Sequence, residues 1–325
     1  MKVLVIGAAG MIGRKLVERF AREGALGGAK ITNLEAVDIV APSPPPAPFP
    51  IQSEACDIAA AYVTRKLAAG RPDVVFLLAS VVSGEAEADF DKGYGINLDG
   101  TRLIFDALRL EQALSGGSYR PRIVFTSSIA VFGAPFPEKI HDEFFTTPLT
   151  SYGTQKAICE LLLSDYSRRG FFDGIAIRLP TICVRPGKPN KAASGFFSNI
   201  IREPLKGEPA VLPVEDSVRH HHASPRAAVG FLLHAATMDL AQLGARRALT
   251  MPGVSVTVAE QIEALRRVAG DKAVALIKRE PDETIRRIVA GWPRQFDAKR
   301  AEALGFKAET DFDAIIRAHI EDEHV

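Results

Sequence analysis

Near its start the chain reads Lys2-Val3-Leu4-Val5-Ile6-Gly7-Ala8-Ala9-Gly10-Met11-Ile12-Gly13. The first five residues form an apolar, β-branched run typical of a buried parallel strand, and an amphipathic pattern from Arg14 to Arg22 follows the glycines. Gly7 permits a tight turn, Gly10 lets the backbone approach a pyrophosphate, and Gly13 lets the helix pack closely on the strand. The helix N-terminus would then hold the phosphates. We therefore predict an α/β fold with a doubly wound parallel (Rossmann) sheet that binds a dinucleotide.

Two features qualify the cofactor prediction. The glycine spacing, Gly-x-x-Gly-x-x-Gly, is one residue longer than the common fingerprint, so a glycine turn without a ligand is the alternative. A second strand is predicted from Ile31 to Val40, with Asp38 near its end. A carboxylate there accepts hydrogen bonds from the adenosine ribose hydroxyls and repels a 2′-phosphate, which favours NAD over NADP. A simple surface acid is the other interpretation of Asp38.

Further cofactor and substrate contacts are expected downstream. Asp57, followed by Ile58, precedes a predicted helix and either caps it or accepts a hydrogen bond from the adenine amino group. A buried strand from Val74 to Leu78 ends in Ala79-Ser80-Val81-Val82-Ser83. Because loops at the carboxyl ends of parallel strands face the cofactor, we expect Ala79 and Ser80 near the nicotinamide ribose, and Ser80, Val81 and Ser83 near the substrate.

Hydroxyl, phenol and amine side chains follow in the middle of the chain. Asn97 opens a predicted helix, as an ordinary polar residue or as a buried amide that positions the strand carrying Ser128. That strand runs from Ile123 to Ser128. Tyr152 and Lys156 stand four residues apart at the start of another predicted helix, so they share one helical face. A nearby ammonium favours the phenolate, and lowering a tyrosine pKa by roughly three units takes about 4 kcal/mol. Chance pairing of the two residues is the alternative.

Composition limits the classes of function. The chain has 325 residues, of which 47% are hydrophobic and 24% charged, and its net charge of +1 gives no reason to expect nucleic acid or an anionic membrane as a partner. Cys56, Cys159 and Cys183 are odd in number and widely spaced, which fits neither a disulfide framework nor a zinc site. No run approaches the ~18 apolar residues of a membrane span. We expect a cytoplasmic protein that binds no metal.

Taken together, these motifs resemble the extended short-chain dehydrogenase/reductase family over about the first 190 residues. The resemblance implies that Tyr152 is the proton acceptor, that Lys156 holds the ribose and lowers the phenol pKa, and that Ser128 hydrogen-bonds the reacting oxygen. It also implies a homodimer. The cofactor contacts expected on these grounds are Gly7, Gly10, Met11, Ile12, Gly13, Asp38, Asp57, Ile58, Leu78, Ala79, Ser80, Asn97, Thr126, Ser127, Tyr152, Lys156, Leu179 and Thr181.

Three longer runs, residues 78–91, 178–190 and 224–229, resemble a group within this family that oxidises C2 of a four-carbon sugar acid with NAD. A substrate carboxylate needs a cation, and Arg185 and Arg219 are the candidates, although either is also plausible as a structural arginine. The remaining substrate contacts expected are Ser80, Val81, Ser83, Ser128, Tyr152 and Thr181. His220-His221-His222 departs from the pattern, and contact with the substrate or with a dimer partner is expected there rather than a metal.

We predict a cofactor domain of residues 1–178, to which residues 216–250 return, and a small substrate lobe of residues 179–215 and 251–325. A nucleotide-sugar epimerase is the first rival, since it uses the same three catalytic side chains. A dehydratase needs an acidic pair beside the catalytic hydroxyl, whereas Ile129-Ala130 follow Ser128. A non-catalytic NAD-sensing protein is the rival from another class, but such proteins commonly lose the tyrosine or the lysine, and both are present.

Overall fold

A seven-stranded, wholly parallel sheet forms the centre of the computed structural model, which describes residues 1–187 and 193–324. Its strands are β1 (Lys2–Ile6), β2 (Asn33–Asp38), β3 (Ile51–Ala55), β4 (Val74–Leu77), β5 (Arg122–Ser128), β6 (Asp173–Leu179) and β7 (Ala248–Thr250). They lie in the order 3-2-1-4-5-6-7. The chain reverses direction across the sheet between β1 and β4, which is where a doubly wound sheet opens a crevice for ligands. The predicted fold class is confirmed.

Helices cover both faces of the sheet because every strand between the edges is apolar on both sides. Val3 and Val5 of β1 face one hydrophobic cluster, whereas Leu4 and Ile6 face another. Two helices pack on the first face, α1 (Met11–Glu23) and α5 (Pro225–Thr237). Three pack on the second, α2 (Ala61–Ala69), α3 (Thr101–Leu114) and α4 (Ser151–Arg168). A π-helical segment, Tyr94–Gly100, leads into α3, so Asn97 lies one element earlier than predicted.

A third hydrophobic cluster lies outside the sheet and draws on residues from Cys183 to Ile316. Its helices are Gly195–Leu205, Val258–Ala269, Asp271–Val274, Glu283–Ala290 and Phe312–Glu323. Small sheets border it, formed by Thr181–Ile182, Arg219–Ala223 and Val254–Thr257, and by Ala210–Leu212 with Ile277–Arg279. The predicted domain division stays a prediction. Ala301 and Phe306, from the stretch assigned to the small lobe, pack in the cluster on the first face of the central sheet.

The remaining elements are short. They are the helices Ser83–Ala88, Phe90–Gly93 and Lys299–Ala303, the 3₁₀ turns Ile129–Val131 and Leu240–Leu243, the strand pair Ile140–His141 with Phe296–Asp297, and the hairpin Ala25–Leu26 with Ala29–Lys30.

Several predicted element boundaries were wrong. From local sequence pattern a helix is predicted from Ser255 to Val268, but Val254–Thr257 is a strand, and the helix begins at Val258 behind a Thr257 capping box. The same kind of pattern predicts that Phe296–Asp297 caps a helix, and these residues are instead a short strand. In both places a β-branched or aromatic residue pairs with a distant strand, which local pattern does not reveal. Lys188, Pro189 and Asn190, the end of one run that carried the resemblance, lie outside the described residues. No described helix is long and apolar enough to cross a membrane.

Candidate active site

A cavity of about 490 Å³ lies at the carboxyl ends of the central strands. Its lining comes from the segments that follow β1, β4, β5 and β6, together with the start of α4 and the Gly291-Trp292-Pro293 segment. Cavities that hold small ligands commonly span roughly 300–1,000 Å³. The predicted site residues that line it are Met11, Ile12, Leu78, Ser80, Ser83, Thr126, Ser127, Ser128, Tyr152, Lys156, Leu179, Thr181 and Arg185.

The glycine loop has the shape that a dinucleotide pyrophosphate requires. Gly7 has a φ of +95°, and a Cβ on it would lie 2.5 Å from the backbone nitrogen of Ala79. A Cβ on Gly13 would lie 2.1 Å from the carbonyl oxygen of Gly7. At Gly10, the N-cap of α1, no side chain caps the helix, and no acidic residue occupies its first turn. Those backbone N–H groups therefore suit an anion, and the loop fits the predicted cofactor.

The two carboxylates predicted near the adenosine have different surroundings. Asp38 ends β2, and its carboxylate accepts hydrogen bonds from the backbone N–H of Ala9 at 2.9 Å and of Ile39 at 2.7 Å. It is thereby fixed against the glycine loop, where a ribose would lie. Asp57 accepts a bond from the N–H of Ala59 at 2.9 Å. The helix-cap alternative for Asp57 was wrong, because α2 begins only after Ala60. Ile58, predicted beside it, is buried under α3.

Tyr152, Ser128 and Ser80 come together at the middle of the cavity. Thr150 caps α4 by accepting a bond from the Gly153 N–H at 3.1 Å, which fixes the first turn, where Tyr152 lies. Burial raises the pKa of Tyr152 above its ordinary value. Ser80 and Ser128 lie within hydrogen-bonding reach of the phenol, and the charge of Arg185 opposes that rise in pKa.

Lys156 is 1% exposed and donates a hydrogen bond to the Thr126 carbonyl at 2.9 Å. Burial lowers its pKa to about 8, while Cys159 and Glu160 act in the opposite direction. Its ammonium lies 5.6 Å from the centroid of the Tyr152 ring. Lys156 is not among the groups that shift the phenol pKa in the ligand-free protein, and its predicted effect together with the bound cofactor stays a prediction. Since Lys156 loses its proton near pH 8, it is already neutral where a buried tyrosine would ionise.

A buried ion pair below the site was not found from sequence. Glu160, one turn beyond Lys156, accepts bonds from Arg178 Nε at 2.9 Å and Nη2 at 2.7 Å. It also accepts the Ser127 hydroxyl proton at 2.5 Å. Ser127 is therefore tied to protein, and Thr126 likewise donates to the Leu77 carbonyl at 3.2 Å. Glu160 lies in α4 and Arg178 in β6, so no local spacing in the sequence indicated this pair.

Arg185 lies in the cavity wall, where burial lowers the pKa of its guanidinium. The guanidinium donates to the Ile182 carbonyl at 3.1 Å and to the Ser194 hydroxyl at 3.2 Å. None of the ion pairs within residues 1–187 and 193–324 involves it. Its backbone is held from both sides, since its N–H donates to Ser198 at 3.0 Å and its carbonyl accepts from Arg202 at 2.7 Å. A partly buried guanidinium that lines a cavity and has no ion-pair partner among the described residues suits an anionic ligand.

Arg219 does not line the cavity, so the structure does not support its predicted role. It donates to the Ser255 carbonyl at 2.7 Å and pairs with Glu260 at 3.2 Å. The physical reason is the alternation of side chains along a strand. Within Arg219–Ala223, His220 is the residue that faces the cavity, and Arg219 therefore points the other way.

All three consecutive histidines are buried, which rules out contact with a dimer partner. His220 lines the cavity, bonds Thr181 Oγ1 through Nε2 at 2.7 Å, and stacks on Phe197 with a centroid separation of 5.1 Å. His221 and His222 are core residues. Burial lowers the pKa of His220 to about 3 and of His221 to about 4, so these rings are neutral. The described residues contain no group of His, Cys, Asp or Glu that could hold a metal.

Three further residues predicted as contacts, Asn97, Val81 and Ala79, do not line the cavity. The Asn97 amide bonds to the Ser80-Val81 turn and to Gln155, and not to the strand that carries Ser128. Val81 and Ala79 lie beside the cavity without lining it. Trp292, which also lines the cavity, was not predicted from the sequence. A lone tryptophan between glycine and proline was the one signal there, and it carries no periodicity.

Comparison with known proteins is consistent with this geometry. The model of the NAD dependent epimerase/dehydratase family matches residues 3–222. A D-erythronate dehydrogenase of Cupriavidus necator is 44% identical, covering 99% of this chain and 98% of that protein. A D-erythronate dehydrogenase of Haemophilus influenzae is 41% identical, covering 99% of each. The group resemblance found in the sequence is thereby confirmed.

A solved structure is also closely similar. It is described as the nucleoside-diphosphate-sugar epimerase from Agrobacterium tumefaciens, is 63% identical, and superposes with a TM-score of 0.97 over 100% of this chain and 94% of that one. The names of these relatives thus point to two different substrates.

Proposed function

Since the chain belongs to the NAD dependent epimerase/dehydratase family and is an NAD-dependent oxidoreductase, we propose that it oxidises the C2 hydroxyl of a small sugar acid of the D-erythronate type to a 2-oxo acid. The observation that carries the proposal is the convergence of Tyr152, Ser128 and Arg185 in one cavity, where Arg185 is partly buried and forms no ion pair within the described residues. Base, hydroxyl donor and anion site are what the oxidation of a hydroxy acid needs.

The cofactor site is proposed from the glycine loop, Asp38 and Lys156. The pyrophosphate binds at the open N-terminus of α1, and Asp38 accepts hydrogen bonds from the adenosine ribose. Lys156 binds the nicotinamide ribose, and its ammonium is held in position by the hydrogen bond to the Thr126 carbonyl. When bound, NAD supplies the ring carbon that accepts a hydride, and in its oxidised form that ring adds a positive charge beside Tyr152.

Proton transfer is assigned to Tyr152. In the ligand-free protein, burial keeps the phenol neutral, so its ionisation depends on positive charge gathered around it. Arg185 and the oxidised cofactor provide that charge. The phenolate then takes the proton of the C2 hydroxyl, while Ser128, whose Oγ accepts from the Ala130 N–H at 3.1 Å, keeps its proton for the substrate oxygen.

Substrate selection is assigned to Arg185 and Thr181. A carboxylate beside Arg185 gains charge-assisted hydrogen bonds and compensates a cation whose pKa burial lowers. Thr181, paired with neutral His220, offers a hydroxyl for the polyol chain. Because cofactor and substrate share about 490 Å³, the space that the nicotinamide leaves suits a short acid.

A nucleotide-sugar epimerase is the second candidate, because the 63% identical solved structure carries that description. An epimerase returns the hydride to its substrate, so NADH does not accumulate. Against it, Arg185 and Lys156 are the two cations among the described lining residues, and Lys156 is engaged by Thr126. A diphosphate usually requires more positive charge than one free guanidinium. A protein that only senses NAD is disfavoured, since Tyr152 and Lys156 are both present.

The deciding experiment supplies NAD with a panel of short aldonic acids and UDP-sugars and measures NADH absorbance. Steady NADH formation with acids alone is expected. Interconversion of UDP-sugars without NADH formation would select the epimerase. In Tyr152→Phe, turnover should fall by orders of magnitude while NAD still binds, as measured by protein fluorescence quenching.

Arg185 and Arg219 make a matched pair of variants. Arg185→Gln should lower kcat/KM for the acid by about 10- to 150-fold, because a buried charge-assisted hydrogen bond is lost. Arg219→Gln, which alters a guanidinium paired with Glu260 outside the cavity, should change it little. Equal losses in both variants would contradict the carboxylate assignment.

A further inference from the structure

A buried amide pair holds the turn that contains Ser80. Asn97 Oδ1 accepts from the Val81 N–H at 2.9 Å and from the Ser80 hydroxyl at 2.9 Å. Asn97 Nδ2 donates to the Val81 carbonyl at 3.2 Å and to Gln155 Oε1 at 2.8 Å. Asn97 is 1% exposed and Gln155 is not exposed at all. These bonds link three elements: the turn after β4, the π-helical segment and the helix that carries Tyr152.

The direction of every bond in this network is fixed by chemistry. A backbone N–H can only donate and a backbone carbonyl can only accept, so the two contacts with Val81 determine which end of the Asn97 amide is oxygen. The Asn97 nitrogen must then face an oxygen of Gln155. Since Asn97 Oδ1 can only accept, its contact with Ser80 is a hydrogen bond in which Ser80 donates its single proton. The other neighbour of the Ser80 hydroxyl, the Val81 carbonyl at 3.1 Å, is also an acceptor.

Ser80 and Ser128 therefore have opposite hydrogen-bonding roles toward the phenol: Ser80 offers an acceptor and Ser128 offers a donor. The Ser80 oxygen has only lone pairs left for Tyr152, because its proton is committed elsewhere. Ser128 is the reverse: its oxygen already accepts from the Ala130 N–H, and its proton has no acceptor within the hydrogen bonds of the described residues. A hydroxyl that donates to a phenolate favours ionisation, whereas one that accepts from a phenol favours the neutral form.

We infer that Ser80 is a catalytic residue that accepts a hydrogen bond from protonated Tyr152, and that Asn97 and Gln155 are positioning residues that withhold the proton of Ser80. The inference rests on the proposed role of Tyr152 as the base. As the substrate O–H bond breaks, an O–H bond forms on Tyr152, and that new bond donates to Ser80 Oγ. No other proton moves in this step. Ser80 thereby strengthens the base, while Ser128 keeps enough of it ionised.

The test compares Ser80→Ala with Ser128→Ala. One hydrogen bond shifts the apparent pKa of Tyr152 by roughly half to one unit, and the two variants should shift it in opposite directions. In Ser80→Ala the pKa should fall, because the neutral phenol loses its acceptor. In Ser128→Ala it should rise, because the phenolate loses its donor. A rise in both variants, or no change in Ser80→Ala, overturns the inference.

Two readouts separate this inference from the proposed function. The pH profile of kcat/KM reports the base during turnover of the acid. Tyrosinate absorbance, taken as the difference between each variant and the same variant carrying Tyr152→Phe, reports the ionisation without any substrate. Opposite shifts in absorbance with no acid turned over would retain the role of Ser80 and reject the sugar acid.

Gln155→Met tests the positioning step without touching Ser80, and it keeps the inference falsifiable if a Ser80 variant fails to fold. Losing Gln155 loosens the Asn97 amide, so that Ser80 can turn its proton toward the phenolate. The apparent pKa should then fall, and an unchanged pH profile would reject the positioning role. Thr154→Val is the matched control on the same helix, since its hydroxyl bonds only the Thr150 carbonyl, at 2.9 Å, and the profile should not move.

Discussion

Lys156→Met should inactivate the enzyme and, in the absence of cofactor, stabilise the fold. Burial lowers the Lys156 pKa from 10.5 to about 8. At pH 7 the lysine is protonated in both the folded and the unfolded chain, so the folded state carries the full cost of desolvating the ammonium. A shift of that size corresponds to about 3 kcal/mol. Functional groups of this kind commonly reduce stability.

Part of the stability gained by removing the desolvated ammonium is offset by lost contacts. The variant loses the hydrogen bond to the Thr126 carbonyl, worth about 1 kcal/mol, and the contact of the ammonium with the Phe125 ring at 4.7 Å. The net expectation is a free energy of unfolding about 1 to 2 kcal/mol higher than in the parent at pH 7. The sign of the pH dependence follows from the lowered pKa. Between pH 8 and 10.5 the unfolded chain binds more protons than the folded one, so the parent gains stability and the difference shrinks.

Urea denaturation of the cofactor-free proteins, followed by circular dichroism at several pH values, measures this difference. Lys66→Met is the matched control, because that side chain is 59% exposed and pairs with Glu54 on the surface. Its effect should stay within about 0.5 kcal/mol. If Lys156→Met is less stable than the parent at pH 7, or if the difference does not change with pH, the assignment of a desolvated ammonium is refuted.

Three further predictions concern the cofactor site and the assembly. Asp38→Asn should lower the preference for NAD, measured as kcat/KM with NAD divided by kcat/KM with NADP, by about tenfold or more. An unchanged preference would count against the contact of Asp38 with the ribose. Gly13→Val should abolish NAD binding or folding, since its Cβ would lie 2.1 Å from a backbone oxygen, whereas Gly95→Ala, with open space around it, should bind NAD normally in the same fluorescence titration. The homodimer stays a prediction: Leu114 and Leu161 are 74% and 72% exposed on neighbouring helices, and Leu161→Glu should produce monomers in sedimentation velocity, unless the parent is itself monomeric.

The class of sheet, the cofactor loop and the position of the candidate base could be predicted from the sequence alone. Each of these depends on local demands: the apolar run of β1 must be buried on both faces, a φ of +95° at Gly7 selects glycine, and four residues separate Tyr152 from Lys156 on one helical face. These requirements involve residues that are close together in the sequence, and the features that depend on them were therefore predictable.

Which of Arg185 and Arg219 lies in the cavity, where a substrate carboxylate would bind, could be seen only in the folded structure. The choice depends on which side of a short strand faces the cavity, and His220 occupies the inward position that a shift of one residue would have given to Arg219. The role of Trp292 and the hydrogen bond between Asn97 and Gln155 could likewise not be predicted from the sequence. Both depend on residues 58 or more positions apart that the fold brings into contact. The ionisation of Tyr152 belongs to the same class, since burial, and not the spacing to Lys156, dominates the pKa of a phenol that the fold removes from water.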